Sequence, residues 1–135
     1  MRYLLLPLLA FAAGCGGQGG SDAFRFPGHY TGSYASVSTE DDAHGTIDLV
    51  VADDGTLSGS VVDSRTTDGG TIASSSQISR RGTVVLSVIF GTGPAINRTS
   101  NGNLALDGTT LAGTLNEVQG DISEPFDYTL DRVVD

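Results

Sequence analysis

Few residues in this 135-residue chain carry reactive chemistry. There is one cysteine, Cys15, and there are two histidines, His29 and His44; all seven basic residues are arginine. The serines lack a G-x-S-x-G elbow, so none is placed on the strained turn that exposes a nucleophile. Without lysine there is no P-loop lysine to meet a phosphate. Gly14, Gly16 and Gly19 satisfy G-x-G-x-x-G, but no strand precedes them and no helix follows, so they make no dinucleotide site. The histidines fall near the starts of two neighbouring antiparallel strands, hence at opposite ends, too far apart to share a metal or a proton. There is no HExxH and no Cys/His cluster. Glu40, Asp41 and Asp42 share one loop, and Asp68, Asp121 and Glu124 lie near loops expected at the same end. Calcium takes about six to eight oxygens, some of which such an acidic rim offers. The spacing matches no calcium loop, so the rim reads as a solvated surface that keeps the chain soluble. No metal, no cofactor and no catalytic residue is expected, and the chain is not read as an enzyme.

The cysteine has a context. Met1-Arg2-Tyr3 is a short positive start, and positions 4–13 are apolar except for Pro7. Ten or so apolar residues fall short of the roughly 20 that a membrane-crossing helix needs, so the segment reads as the core of a signal peptide. Ala12-Ala13-Gly14-Cys15 resembles the lipobox of bacterial lipoproteins, with Ala12 where that family usually has leucine. The resemblance implies cleavage before Cys15 and a diacylglyceryl group on its thiol. A lone cysteine in an exported chain closes no intramolecular disulfide, which agrees with lipidation. Each buried acyl methylene contributes about 0.8 kcal/mol, so two or more chains, palmitate-like in length, anchor stably. Residues 1–14 are therefore expected to be a signal peptide, 15–27 a lipidated cysteine with a flexible Gly-rich tether, and 28–135 one folded domain. The expected location is the cell envelope, at the outer membrane if the host is Gram-negative.

Loss of Arg2 with the signal peptide leaves six arginines against sixteen acidic residues, a net charge of −10. That surface repels phosphates and argues against a nucleic-acid partner. The Asn97-Arg98-Thr99 sequon means nothing in an ordinary bacterial lipoprotein.

From Pro27 onward the hydrophobic pattern has period two, punctuated by Gly, Asp, Asn and Ser. Strands are expected near 29–38, 44–52, 56–63, 70–79, 82–90, 98–106, 110–118 and 124–133, and no helix. Asp54-Gly55 and Asp107-Gly108 between alternating runs signal hairpins. The hairpin around Gly45-Thr46-Ile47-Asp48-Leu49 is echoed by Gly102-Asn103-Leu104-Ala105-Leu106. Gly32, Gly59 and Gly113 fall on inward positions, where glycine permits the bending of a closing sheet. The fold class is all-β, a single small antiparallel up-and-down barrel of about eight strands, with a β-sandwich as the alternative. Alternation directs Tyr34, Ile47, Leu49, Val51, Leu57, Val61, Val84, Leu86, Val88, Phe90, Leu104, Leu106, Leu111, Leu115, Phe126, Tyr128 and Leu130 to one side, enough to fill an eight-stranded barrel.

Gly28-His29-Tyr30 at the head of the first strand resembles the G-x-W opening of lipocalins and other calycin barrels. Arg132 near the end of the last strand is similar to their basic residue that packs over that ring. Tyr30 stands here for tryptophan. The resemblance implies barrel closure by Tyr30 and Arg132, side by side. The hairpins are similar in style to avidin-type barrels, but those rely on tryptophans for biotin, and none is present, so no biotin is expected. The chain thus looks like a small bacterial lipoprotein with a calycin-like domain, held to the membrane by its lipid. Its barrel is expected to be a non-catalytic interaction or structural module that meets an envelope protein; the alternative is a binding protein for a small apolar ligand. By strand parity, Arg25, Arg80, Arg81 and Arg132 gather at the tether end, and the acidic loops face away from it.

Overall fold

A computed structural model describes residues 24–38, 40–91 and 96–134. Cys15, the expected signal peptide and most of the expected tether lie outside the described residues. Nine strands follow in order: β1 (Gly28–Ser36), β2 (His44–Val51), β3 (Leu57–Asp63), β4 (Gly70–Ile72), β5 (Gln77–Ile78), β6 (Thr83–Phe90), β7 (Ile96–Asp107), β8 (Thr110–Gln119) and β9 (Ile122–Arg132). Along β2, Gly45, Ile47, Leu49 and Val51 are buried while the residues between them are exposed. The period-two pattern is a property of pleated strands, whose successive side chains point to opposite faces.

The strands pair antiparallel in sequence order, and the sheet closes on itself where β9 meets β1 and β4 meets β6. The closing ladder runs over seven residue pairs, from Tyr30 opposite Arg132 to Ser36 opposite Phe126. This is a closed antiparallel eight-stranded barrel with β5 as one extra strand, not a sandwich. Closure removes the unpaired edges that an open sheet would present to other chains.

The expected single strand over 70–79 is a correction: it is two pieces, β4 and β5, both beside β6. Between them a turn closes with the Ser76 amide donating to the Ala73 carbonyl at 3.0 Å. The buried Ser76 hydroxyl takes over the missing ladder bonds, accepting from the Ser87 amide at 2.9 Å and donating to the Ser87 carbonyl at 3.2 Å. Serine hydroxyls compete for backbone groups in this way, and the run Ser74-Ser75-Ser76 breaks the strand where they do.

Gly55 and Gly108 take the left-handed conformation their hairpin turns need, at φ +91° and +63°. At Gly59, φ is +131° and a Cβ would collide with the Asp48 carbonyl oxygen. The missing side chain lets β3 lie against β2 where the barrel wall bends.

The interior is filled. Of the residues directed inward by alternation all are buried except Leu106, which packs half-buried against the others. Phe26, Ala43, Ile72 and Ile78 join them, and the largest side chains with the least exposure are Tyr30 and Phe126. Two spaces inside the barrel are each about 10 Å³, close to the room one water requires.

Candidate functional site

The barrel has two ends. Residues 24–27 enter at the proximal end, which also holds the β2–β3, β5–β6 and β7–β8 turns. The distal end holds the β1–β2, β3–β4, β6–β7 and β8–β9 connections.

An ion network plugs the distal end. The Arg65 backbone amide and Nε donate to Asp63 Oδ1 at 2.8 and 2.9 Å, and its Nη2 donates to Asp63 Oδ2 at 2.8 Å. The same guanidinium donates to both oxygens of Glu117, at 2.8 and 3.1 Å. Tyr34 donates its hydroxyl proton to Asp63 Oδ2 at 2.5 Å. A second guanidinium, that of Arg98, stands 3.5 Å from Asp63 Oδ1, and its Nε and Nη1 make no hydrogen bond to any described residue. Below the charges lie rings: Arg65 over Phe126 at 5.0 Å, Arg98 over Phe90 at 5.4 Å, and Tyr34 stacked on Tyr128 at 5.0 Å. Three of these charged residues occupy inward strand positions, in phase with Val61 for Asp63, Leu104 for Arg98 and Leu115 for Glu117. Alternation thus carries a signal for the plug, which a reading confined to apolar positions misses; Arg65 sits in a turn and leaves no such signal.

The electrostatics fix Asp63, Tyr34 and Tyr128 each in one state. Burial pushes the Asp63 carboxyl upward, but the hydrogen bonds from Arg65 and Tyr34 outweigh it and hold the group at about 2. Burial, and then the hydrogen bond to Asp63, raise the Tyr34 phenol well above its ordinary value. Burial raises Tyr128 likewise. A general acid or base works best with a pKa near the working pH, and these groups have been driven away from it. Their arrangement suits holding the rim in place.

The proximal end is closed by aromatic residues and one guanidinium. Arg132 lies 5.2 Å from the centre of the Tyr30 ring. Its Nη2 donates to the Tyr30 hydroxyl at 2.7 Å and to the carbonyls of Arg25 and Pro27, each at 3.2 Å. Tyr30 in turn donates to the Phe26 carbonyl at 2.7 Å. Tyr30 and Arg132 are therefore together, bonded as well as stacked.

The six rim acids are brought to one end but not to one point. Glu124 accepts a hydrogen bond from the Ser36 hydroxyl. Hydrogen bonding shared with the Glu124 side chain, then the bond donated by the Ala43 amide, holds Asp41 below the usual carboxylate range. Glu40 and Asp42 sit on either side of Asp41 in the same loop, and the Asp42 carbonyl accepts from His44 Nδ1 at 2.6 Å. Asp68 lies against Gly91 across the mouth, and Asp121 is exposed in the β8–β9 turn. Among the described residues no three His, Cys, Asp or Glu side chains are grouped to hold a metal. His29 and His44 are at opposite ends of the β1–β2 ladder, and His29 pairs with Asp48 on the outer wall at 2.6 Å.

Open clefts lie outside the barrel among the described residues, two of them at its ends. One, of about 370 Å³, runs between Arg65, Asp68, Phe90 and Ile96 at the distal end. The other, of about 190 Å³, lies between Phe24, Asp54 and Arg80 at the proximal end. Comparison of the chain with family models, with curated proteins and with solved structures gives no match in any of the three.

Proposed function

We propose that this chain is a lipid-anchored envelope lipoprotein whose barrel is a non-catalytic interaction or structural module. The observation that supports the module is the filled interior. A drug-sized apolar ligand needs a pocket of about 300 Å³ or more, and the interior spaces are about 10 Å³ each. A barrel packed in this way works through its outer surface. The paired Tyr30 and Arg132 support the calycin likeness of the wall without the central cavity of the ligand-binding members.

The anchor rests on the Ala12-Ala13-Gly14-Cys15 motif, and metabolic labelling tests it. Bacterial cells expressing the full chain and fed a labelled fatty acid are expected to yield a labelled protein in the membrane fraction. Cys15→Ser is expected to take up no label and to remain unprocessed or soluble. Wild-type protein without label would overturn the anchor. The interaction reading is tested by native mass spectrometry of protein extracted from cells in mild detergent. A protein partner is expected; a stoichiometric small apolar ligand would overturn it in favour of a binding protein.

A further inference from the structure

We propose that the distal end of the barrel is a docking surface for a cationic amphipathic segment of another protein. This rests on the reading of the barrel as an interaction module and adds the chemistry of the partner.

Nine large apolar side chains are exposed among the described residues, and six of them collar this one end: Val37, Val62, Ile89, Ile96, Val118 and Ile122. Val62 and Ile122 are the most open of the six, at 64% and 70%. Val62 precedes the last residue of β3, Ile89 and Ile96 flank the β6–β7 connection, and Val118 and Ile122 flank the β8–β9 turn. Val37 is held at the rim by its amide, which donates to the Pro125 carbonyl at 3.1 Å. Singly exposed apolar residues are ordinary on a protein surface, but their concentration around one mouth marks an interaction site.

The charges there say what kind of partner fits. The distal end carries eight carboxylates, namely Asp63, Glu117 and the six rim acids, against Arg65 and Arg98, a formal balance of −6. Both guanidiniums lie against the buried Asp63, and Arg65 also against the half-buried Glu117, so the excess of negative charge sits on the rim loops. At the proximal end Arg25, Arg80, Arg81 and Arg132 equal Asp53, Asp54, Asp107 and Asp131 in number. A second copy meeting this end with its own would oppose six negative charges to six, and anionic lipid headgroups are repelled in the same way. A segment carrying both basic and apolar side chains meets both features of the surface. The open cleft between Asp68 and Ile96 accepts one such side chain, apolar in its stem and positive at its tip.

The test titrates the purified full chain, in neutral detergent, with a short leucine–lysine amphipathic peptide and with a serine–lysine peptide of equal charge. The leucine–lysine peptide is expected to bind more tightly. Val62→Ser with Ile122→Ser, and separately Asp41→Asn with Asp42→Asn, are each expected to weaken it roughly tenfold. Val62, Ile122 and Asp42 are exposed or nearly so, and Asp41→Asn retains a side-chain oxygen that accepts from the Ala43 amide. The proximal pair Asp53→Asn with Asp54→Asn is expected to leave binding unchanged. Equal binding of the two peptides, or equal weakening by the proximal pair, would overturn the proposal, since either outcome reduces the effect to net charge. Concentration-dependent dimerisation that the Val62 and Ile122 changes abolish would also overturn it. Fatty-acid labelling reads the anchor independently, so a labelled protein that fails the titration loses the docking surface and keeps the anchor.

Discussion

The two ends of the barrel do the same job with different chemistry. The distal mouth is closed by Asp63, Arg65, Arg98 and Glu117, four charged residues whose two guanidiniums lie over Phe126 and Phe90 and whose Asp63 accepts from Tyr34. The proximal mouth is closed by Phe26, Tyr30 and Arg132, where a single guanidinium bonds to carbonyls and a phenol and, among the described residues, to no carboxylate. Buried charges are costly unless paired, so the buried Asp63 carboxylate at the centre of the plug depends on Arg65, its principal donor. Arg132 is half-buried and held by neutral acceptors, with its Nε bonded to none of the described residues, so the proximal mouth does not depend on a matching carboxylate. The distal end is accordingly the more fragile of the two.

The largest effect is expected from breaking the distal pairing. Arg65→Met leaves the buried Asp63 carboxylate without its principal donor and is expected to cost about 2–3 kcal/mol in denaturant unfolding, the penalty of a buried charged acceptor left unbonded. A loss under ~1 kcal/mol would show that the plug closes the mouth by shape alone.

Acid separates the ends next. In the unfolded chain the Asp63 carboxyl titrates near 3.8, and in the barrel at about 2. Between these values the unfolded state binds the extra proton. The stabilisation is therefore complete above pH ~4 and is lost as pH falls through ~2, on the order of 2 kcal/mol. Asp63→Asn is expected to flatten that part of the stability profile, whereas Tyr30→Phe is expected to leave its shape intact. An unchanged profile in Asp63→Asn would place the acid sensitivity elsewhere.

At the proximal end a smaller change is expected. Tyr30→Phe keeps the ring beneath Arg132 and removes one hydroxyl that both donates and accepts. The expected cost is about 1–2 kcal/mol, independent of pH across the acid range, read by denaturant unfolding at two pH values. A cost equal to that of Arg65→Met would erase the contrast between the ends.

The contrast was only half legible in the amino-acid sequence. Alternation and the Asp-Gly turns indicate nearly every strand, because a one-residue slip would turn Ile47, Leu49 and Val51 outward and no such register can fold. The break within 70–79 is written in three consecutive serines, whose competition with the ladder depends on what β6 offers beside them. Tyr30 and Arg132 were readable through a resemblance, that of Gly28-His29-Tyr30 and Arg132 to the opening and closing residues of calycin barrels. Asp63, Arg98 and Glu117 sit at inward phase just as plainly. A charge at such a position declares itself buried only once a partner is known, and the principal partner, Arg65, lies in a turn without period. The apolar collar was hidden for a similar reason, since its members come from separate connections that only the closed topology brings to one end.

The smallest effect is expected from the other arginine of the plug. Arg98 and Arg65 are the same residue type beside the same carboxylate, yet Arg65 reaches Asp63 through two side-chain hydrogen bonds and Arg98 only through a 3.5 Å ion pair. Arg98 is nine-tenths buried, and its Nε and Nη1 find no acceptor among the described residues, so it carries a desolvation cost that little offsets. Methionine is unbranched, fills much of the same volume, and places its sulfur against the Phe90 ring, where the guanidinium now lies. Replacing a poorly bonded buried charge by an apolar side chain of similar size is often neutral or stabilising. Arg98→Met is therefore expected to leave stability within about 1 kcal/mol of wild type, or to raise it, while Arg65→Met unfolds far more readily. The double change measures whether the two act on Asp63 independently. If Arg98→Met costs as much as Arg65→Met in denaturant unfolding, the second guanidinium is an equal partner in holding Asp63, and the plug is a three-way charge cluster rather than one tight pair with a neighbour.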